Sequence, residues 1–264
     1  MEGQAKTLRA FHNKLKGEII QRGCNMIQPN VQTLLDIGVG RGGDIMKWHN
    51  NQIPKVVGID IEYTYIREAI RRFNQAHLRN VRDYRFYVIK NGDSFYTTLE
   101  KRNLDTLYDM ISCQFCLHYF ASSEECLHEF FSNIARVLKP GGVFIGTVPN
   151  GDKILSMLGN DNEFSNEQVL IKKMFDTPSA CGDAIQFSMT GTLYFGENMI
   201  SHEYLVYENT LRDIACKYGL LLVEWKSFEE HYREHDFLLH EDTQKASFVN
   251  NTFIFKRVQG ESLH

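Results

Sequence analysis

The chain has no run of about 18 apolar residues, so nothing in it reads as a membrane span. Met1 to Arg9 lacks the apolar core of a secretory signal, which points to an intracellular chain whose six cysteines stay reduced. A second cysteine pair with metal spacing is missing. Cys113 and Cys116 stand alone, and Cys113 falls on an apolar segment expected to be a buried strand, so neither a metal nor a redox role is expected. No internal repeat is visible, and 264 residues suit one α/β domain with insertions, here residues 1–264. Basic excess is lacking too. A formal net charge of -4 excludes a protein that coats nucleic acid over its whole surface. Local patches remain: Arg67, Arg71, Arg72, Arg79, Arg82 and Arg85 crowd one segment, either to steer a phosphate-bearing substrate or as a solvated helix face.

What is present alternates between strand and helix patterns. Residues 5 to 22 read as a polar helix within a lead of residues 1–30, which Pro29-Asn30 closes before the first strand, Thr33 to Ile37. Asp44 to His49 reads as helix and Val56 to Asp60 as strand. The next helix carries Ile66, Ile70, Phe73 and His77 on one face. Tyr84 to Ile89 and Leu107 to Cys113 are expected strands, followed by a helix from Ser122 to Leu138 that Lys139-Pro140-Gly141-Gly142 ends. Val143 to Val148 then forms a strand. Residues 150–203 loosen into a polar, substrate-binding insertion. Tyr204 to Val206, a helix from Leu211 to Tyr218, and strands near Leu221 to Glu224 and Thr252 to Lys256 restore the alternation. Such alternation demands a mostly parallel sheet, with an antiparallel final pair where no regular helix intervenes.

The turn Asp36-Ile37-Gly38-Val39-Gly40-Arg41-Gly42-Gly43-Asp44 follows the first strand, and Asp60 ends the second, as in a nucleotide-binding unit. Glycines let the backbone approach a ligand, and a carboxylate at the second strand's end can take a ribose diol. The glycine spacing also fits a nicotinamide dinucleotide. Asp36 and Asp44 flank the turn, however, where they would repel a pyrophosphate and attract the cationic S-adenosylmethionine. Asp36 read alone also suits a cap for the turn's amides. The cofactor set therefore takes Asp36, Gly38, Gly40, Asp44, Asp60 and Ile61, with Asp93 and Ser94 from a segment that is also ordinary turn chemistry.

Gln114-Phe115-Cys116-Leu117-His118-Tyr119 follows the fourth strand, at the edge where open α/β sheets place their chemistry. With the glycine turn, Trp48, Pro140-Gly141-Gly142, Thr147-Val148-Pro149 and His202-Glu203-Tyr204, it resembles the messenger RNA cap guanine-N7 methyltransferases of eukaryotes and large DNA viruses. The resemblance spans nearly the whole chain. It implies a Rossmann-like class I fold, a seven-stranded sheet with an antiparallel last strand, and S-adenosylmethionine as cofactor. It further implies that Lys16 meets the methionine carboxylate, with Gly38, Asp60, Asp93, Gln114 and Tyr119 completing that site. Cap-facing positions fall on Asn13, Arg41, Lys47, Arg72, His118 and Glu203, with Pro149 and Phe187 as further candidates and Asn250 where the family usually carries an aromatic. Phe253 is the candidate replacement wall.

Glu203 can accept from guanine N1–H and N2–H together, and guanine N7 needs no deprotonation before attack. Neither a general base nor a metal is expected, and His118, Tyr119 and Glu203 are assigned to positioning. Capped mRNA is the implied partner, with the triphosphatase and guanylyltransferase parts of a capping enzyme beside it and no membrane. The compartment implied is the cytoplasm for a viral enzyme and the nucleus otherwise. Two competing readings stand: methylation of another RNA position or a small molecule, and a cap-binding or partner-binding module without turnover.

Overall fold

In the computed structural model, which describes residues 2–90, 94–104, 106–189 and 200–258, the apolar runs become strands and the amphipathic ones wrap them. In chain order these are α1 (Glu2–Asn25), β1 (Thr33–Ile37), α2 (Ile45–Asn50), β2 (Lys55–Asp60), α3 (Tyr63–Ala76), β3 (Asp83–Val88), α4 (Phe95–Lys101) and β4 (Tyr108–Gln114). A 3-10 turn (Leu117–Phe120), α5 (Glu124–Val137), β5 (Leu138–Pro149) and α6 (Gly151–Leu158) follow. Then come β6 (Glu163–Ser165), β7 (Val169–Lys173), β8 (Ala184–Met189), β9 (Ser201–Tyr204), α7 (Glu208–Cys216), β10 (Leu220–Ser227), α8 (Phe228–Arg233), α9 (Glu241–Phe248) and β11 (Asn250–Arg257).

Seven strands form the main sheet in the order β10-β11-β5-β4-β1-β2-β3. Only β11 runs antiparallel to its neighbours. The order reverses between β1 and β4, and the crevice outside the carboxyl ends of such strands is where open α/β sheets hold ligands. Alternation along β5 and β11 sends side chains to two cores. Phe144, Phe253 and Phe255 pack with Phe130 and Phe131 of α5, while Val143, Ile145 and Ile254 join Ile19, Ile20 and Trp48 on the other face. Gly146 lies opposite Phe253 across the β5–β11 ladder, and the aromatic ring occupies the space a side chain there would fill. Among the described residues no helix is long and apolar enough to cross a membrane.

Several expectations are corrected. The first helix is polar overall yet buries Leu8, Phe11, Leu15 and Ile19, a stripe at helical spacing that touches three separate apolar clusters. On α3 the buried residues are Ile66 and Ala69, whereas Ile70 is exposed and His77 ends the helix in a left-handed conformation. A helix over edge strands needs only a narrow stripe. Leu107 is likewise exposed, just outside β4. Leu138 does not end α5 but opens β5, which runs straight through Pro140-Gly141-Gly142 with a register shift opposite Tyr108 and Met110. Residues of the 150–203 segment build a second, antiparallel sheet, β6-β7-β8-β9, and Tyr204 belongs to it rather than to the main sheet.

Candidate active site

The glycine turn is held by backbone geometry. Gly38, Gly40 and Gly42 have φ of 73, 53 and 72°, values a side chain disfavours. Gly38 and Val39 donate their N–H to the Ile59 carbonyl at 2.9 and 3.0 Å, which ties the turn to β2. A Cβ on Gly38 would stand 2.5 Å from Cys116 Sγ, so the turn and the segment after β4 press directly on each other. Asp60 accepts from Gly40 N–H at 2.8 Å and from Glu62 N–H at 2.9 Å. Burial nonetheless pushes its pKa up against those two bonds. Ile61 follows it, exposed.

The charges around the turn differ from the sequence reading. Burial, helped by the Asp44 carboxylate, pushes Asp36 up to about 8, so near neutral pH it is mostly protonated rather than anionic. Asp44 is also buried, which acts to raise it, but Lys16 at 2.9 Å and Lys47 at 2.7 Å hold it below the usual carboxylate range. The two expected negative charges are thus one neutral acid and one compensated ion. Lys16 reaches the turn from α1 and pairs there with Asp44. Because Asp36 keeps its proton in the fold and loses it in the unfolded chain, the folded state binds more protons between about pH 4 and pH 8. Stability should therefore fall as pH rises through that window, at most about 1.4 kcal/mol per pH unit from this group. Thermal midpoints of Asp36→Asn against the parent from pH 5 to 8 should show that slope removed.

At the end of β4, Gln114 is buried; its Nε2 donates to Ser112 Oγ at 3.3 Å and its Oε1 has no partner among the described residues. Phe115 then turns left-handed at φ 53°, held by its N–H donating to the carbonyl and hydroxyl of Thr147. His12 of α1 stacks on the Phe115 ring at 5.6 Å and pairs with Ser247 Oγ at 2.8 Å. Burial, with Lys16 nearby, lowers His12 to about 3, so it is a neutral wedge between α1, the β4 segment and α9. The 3-10 turn that follows sets His118 and Tyr119 side by side, ring centroids 4.1 Å apart. His118 is 3% exposed, and neither ring nitrogen has a partner among the described residues. Burial lowers its pKa, against the pull of Glu203, and the ring is neutral at pH 7. Tyr119 is half exposed, and burial of its hydroxyl raises its pKa.

The second sheet leans β9 against that 3-10 turn. Glu203, buried on β9 opposite Ile185, brings Oε2 to 3.7 Å from His118 Nε2. Its Oε1 accepts from Ser201 Oγ at 2.7 Å. Phe187 of β8 is half-buried opposite Ser201. Lys16, Asp36, Gly38, Gly40, Asp44, Asp60, Gln114, Tyr119, His118 and Glu203 thus gather along one rim.

Other candidates stand differently. Lys47 Nζ already meets Asp44, Asn13 Oδ1 at 3.0 Å and the Gly43 carbonyl at 3.1 Å, three acceptors for its three protons. Arg41 lies over the Tyr65 ring at 4.9 Å. Arg72 pairs with Glu68 at 2.8 Å, and at 1.5 Å per residue it sits about 13 Å down α3 from the rim. It is not brought to the others. Ser94 caps α4 through Thr97 N–H, while Asp93 lies outside the described residues. Pro149 ends β5 opposite Asn250, whose amide donates to the Ser247 carbonyl at 2.9 Å. Phe253 is fully buried against Phe144 in the main core and forms no wall of this site. Sequence reasoning missed Ser201, Tyr65 and His12. A serine two residues before Glu203 in a strand shares its face, the one signal available for any of them.

The acceptor set fits S-adenosylmethionine. Asp36 Oδ1 and Gln114 Oε1 are buried without partners among the described residues, at the carboxyl ends of β1 and β4, and the ligand carries an ammonium and an adenine amino group to satisfy such atoms.

A family model of mRNA (guanine-N(7))-methyltransferase domains matches residues 2–249. The mRNA cap guanine-N(7) methyltransferase of Schizosaccharomyces pombe is 29% identical over 231 residues, 84% of this chain and 61% of the relative. That of Saccharomyces cerevisiae is 33% identical over 242 residues, 85% of this chain and 53% of the relative. The chain therefore spans between about half and two-thirds of the length of these curated relatives. In fold it is similar to an S-adenosylmethionine-dependent methyltransferase from Clostridium acetobutylicum, with TM-score 0.60 at 15% identity, covering 92% of this chain and 91% of that one. The match over nearly the full sequence, together with the sheet order and the rim just described, makes this chain a member of the mRNA (guanine-N(7))-methyltransferase domain family.

Proposed function

We propose that this chain transfers the methyl group of S-adenosylmethionine to N7 of the guanosine cap of mRNA. The observation that carries this reading is the buried Glu203 beside a neutral His118 whose ring nitrogens have no partner among the described residues, next to the glycine turn and Gln114. Bound there, S-adenosylmethionine supplies an electrophilic methyl group. Lys16 takes its carboxylate end, Asp60 the ribose, and Gln114 and Tyr119 the near side, while Gly38 and Gly40 allow close approach. Glu203 accepts from guanine N1–H and N2–H, an edge adenine lacks. His118 offers one donor and one acceptor to the bound guanosine, and Tyr119 and Phe187 supply ring faces, each stack worth roughly 1 to 3 kcal/mol. Arg41 and Lys47 answer the triphosphate bridge, and Lys47 must release one of its three acceptors to do so.

No residue has to remove a proton, because N7 attacks through an exposed lone pair. Alignment alone can supply roughly 7 to 11 kcal/mol when the reacting atoms are held near attack geometry. Positive charge arrives on the guanine ring during transfer, and the Glu203 carboxylate accepts hydrogen bonds from that product at least as well as from the substrate. Pro149 and Asn250, paired at the end of β5, are outer contacts. The partner proposed is the capped 5′ end of mRNA, in an intracellular compartment.

The test is methyl transfer from labelled S-adenosylmethionine to guanosine-capped RNA, followed by digestion and identification of the labelled base. Label at N7 is expected. Label at any other position, or none while S-adenosylhomocysteine binds, removes the reading.

A further inference from the structure

Ser201 Oγ stands 2.7 Å from Glu203 Oε1 and 3.1 Å from the carbonyl oxygen of Phe187. A hydroxyl has one proton, and the shorter contact to the charged acceptor takes it. Ser201 and Glu203 are two residues apart on β9, so they share a face. Their cross-strand partners on β8, Phe187 and Ile185, bring the same face of the neighbouring strand alongside. The opposite oxygen, Oε2, lies 3.7 Å from His118 Nε2, beyond hydrogen-bond reach. One end of the carboxylate is therefore tethered within its own strand. The other faces a neutral imidazole that does not bind it. Both Glu203 and His118 are buried, so no bulk water fixes the carboxylate plane.

We infer that Ser201 is a specificity-determining positioning residue: its hydroxyl fixes the plane of the Glu203 carboxylate so that both oxygens meet the donor edge of guanine at once. This rests on the reading of Glu203 as the guanine acceptor. A carboxylate freed from the tether rotates about its last bond, a broad torsion with little restoring force of its own. It then meets N1–H and N2–H with one good bond rather than two. Rotation costs discrimination before it costs chemistry, because the reacting N7 lies on the opposite edge of the base.

The hydroxyl is isolated by comparing Ser201→Val with Ser201→Thr, two side chains of similar shape that both suit a strand, of which only threonine keeps the proton. Loss of a hydrogen bond to a charged group should raise KM for guanosine-capped RNA about tenfold in Ser201→Val, with a smaller change in kcat. The second readout is the preference for a guanosine cap over an inosine cap, which lacks the N2 amino group. It should collapse toward one in Ser201→Val and be restored in Ser201→Thr. Ser201→Ala removes the same proton without added bulk and should reproduce the loss, with S-adenosylhomocysteine affinity and thermal midpoint as the measures of an intact site. Parental KM and parental guanosine preference in either the Val or the Ala variant overturn the assignment, as does equal loss in the Thr variant. If Glu203→Ala itself still prefers guanosine caps, it is the guanine-reading role of Glu203 that fails instead.

Discussion

Glu203→Ala should lower kcat/KM for guanosine-capped RNA by about 10²- to 10⁴-fold while S-adenosylhomocysteine binding stays within about twofold. The size of the effect follows from burial. Glu203 is 5% exposed, so in the variant water reaches the guanine edge poorly and two base donors are left without acceptors. Sites built to hydrogen-bond a substrate group discriminate by such factors because the unpaired polar group, not the lost contact, sets the cost. The carboxylate belongs to β9 of the small sheet rather than to β1 or β4, so its removal should leave the side chains of those two strands in place. Glu203→Gln, with one acceptor and one donor, should fall between the parent and Ala. Initial rates with capped and uncapped RNA, beside calorimetry with S-adenosylhomocysteine, check all of this. Unchanged transfer in Glu203→Ala would end its role in base choice, and joint loss of cofactor binding would show a wider disruption.

Gly146→Ala should be the most destabilising single-methyl addition in the described sheet. A Cβ there would meet the Cys113 carbonyl oxygen at 2.1 Å and Phe253 Cζ at 2.5 Å. The carbonyl belongs to the β4–β5 ladder and cannot retreat without opening the ladder. Phe253 cannot swing away either, since it packs edge-on against Phe144 at 5.0 Å and lies beside Phe255 at 5.7 Å. Overpacking of this kind costs about 3 kcal/mol or more. For a domain of this size that lowers the thermal midpoint by about 6 to 12 °C. Gly43→Ala is the matched comparison: a Cβ there meets nothing within 4 Å, and its stability change should stay within about 0.5 kcal/mol. Thermal unfolding of the two proteins decides it. A midpoint for Gly146→Ala close to that of Gly43→Ala would mean that the sheet yields where the packing says it cannot.

The features legible in the sequence were those whose cause is local. Thr33–Ile37 and the glycines after it announce a strand and a turn through neighbours in the chain, and both are where the residues put them. Asp60 ends β2 for the same reason. The charges at the turn failed because charge is a property of the folded neighbourhood. Asp36 and Asp44 looked like two anions until burial protonated one and Lys16, 28 residues away in the chain, neutralised the other. Periodicity chose Ile70 over Ala69 because hydrophobicity counts bulk, whereas a helix packed on edge strands buries what fits. Phe253 is an aromatic three residues from Asn250, where the family resemblance implies a pocket wall. Its register opposite Gly146, a long-range fact, sends it into the core. The small sheet escaped notice because its strands are three to six residues long and polar enough to pass for loop. Its one chemical signature, His202-Glu203-Tyr204, was visible only through the family resemblance.

The position of β11 bears on how such a protein is made. Among the described strands β11 follows β10 in the chain, yet it sits between β5 and β10, in the interior of the main sheet rather than at its edge. Ser247, which pairs with His12 across 235 residues of chain, emerges almost as late. During vectorial synthesis the glycine turn, the 3-10 turn and the small sheet can all be present while the sheet still has an unfilled slot and α1 lacks its latch. Closing the sheet and latching α1 then wait on contacts of high sequence separation, the slow kind.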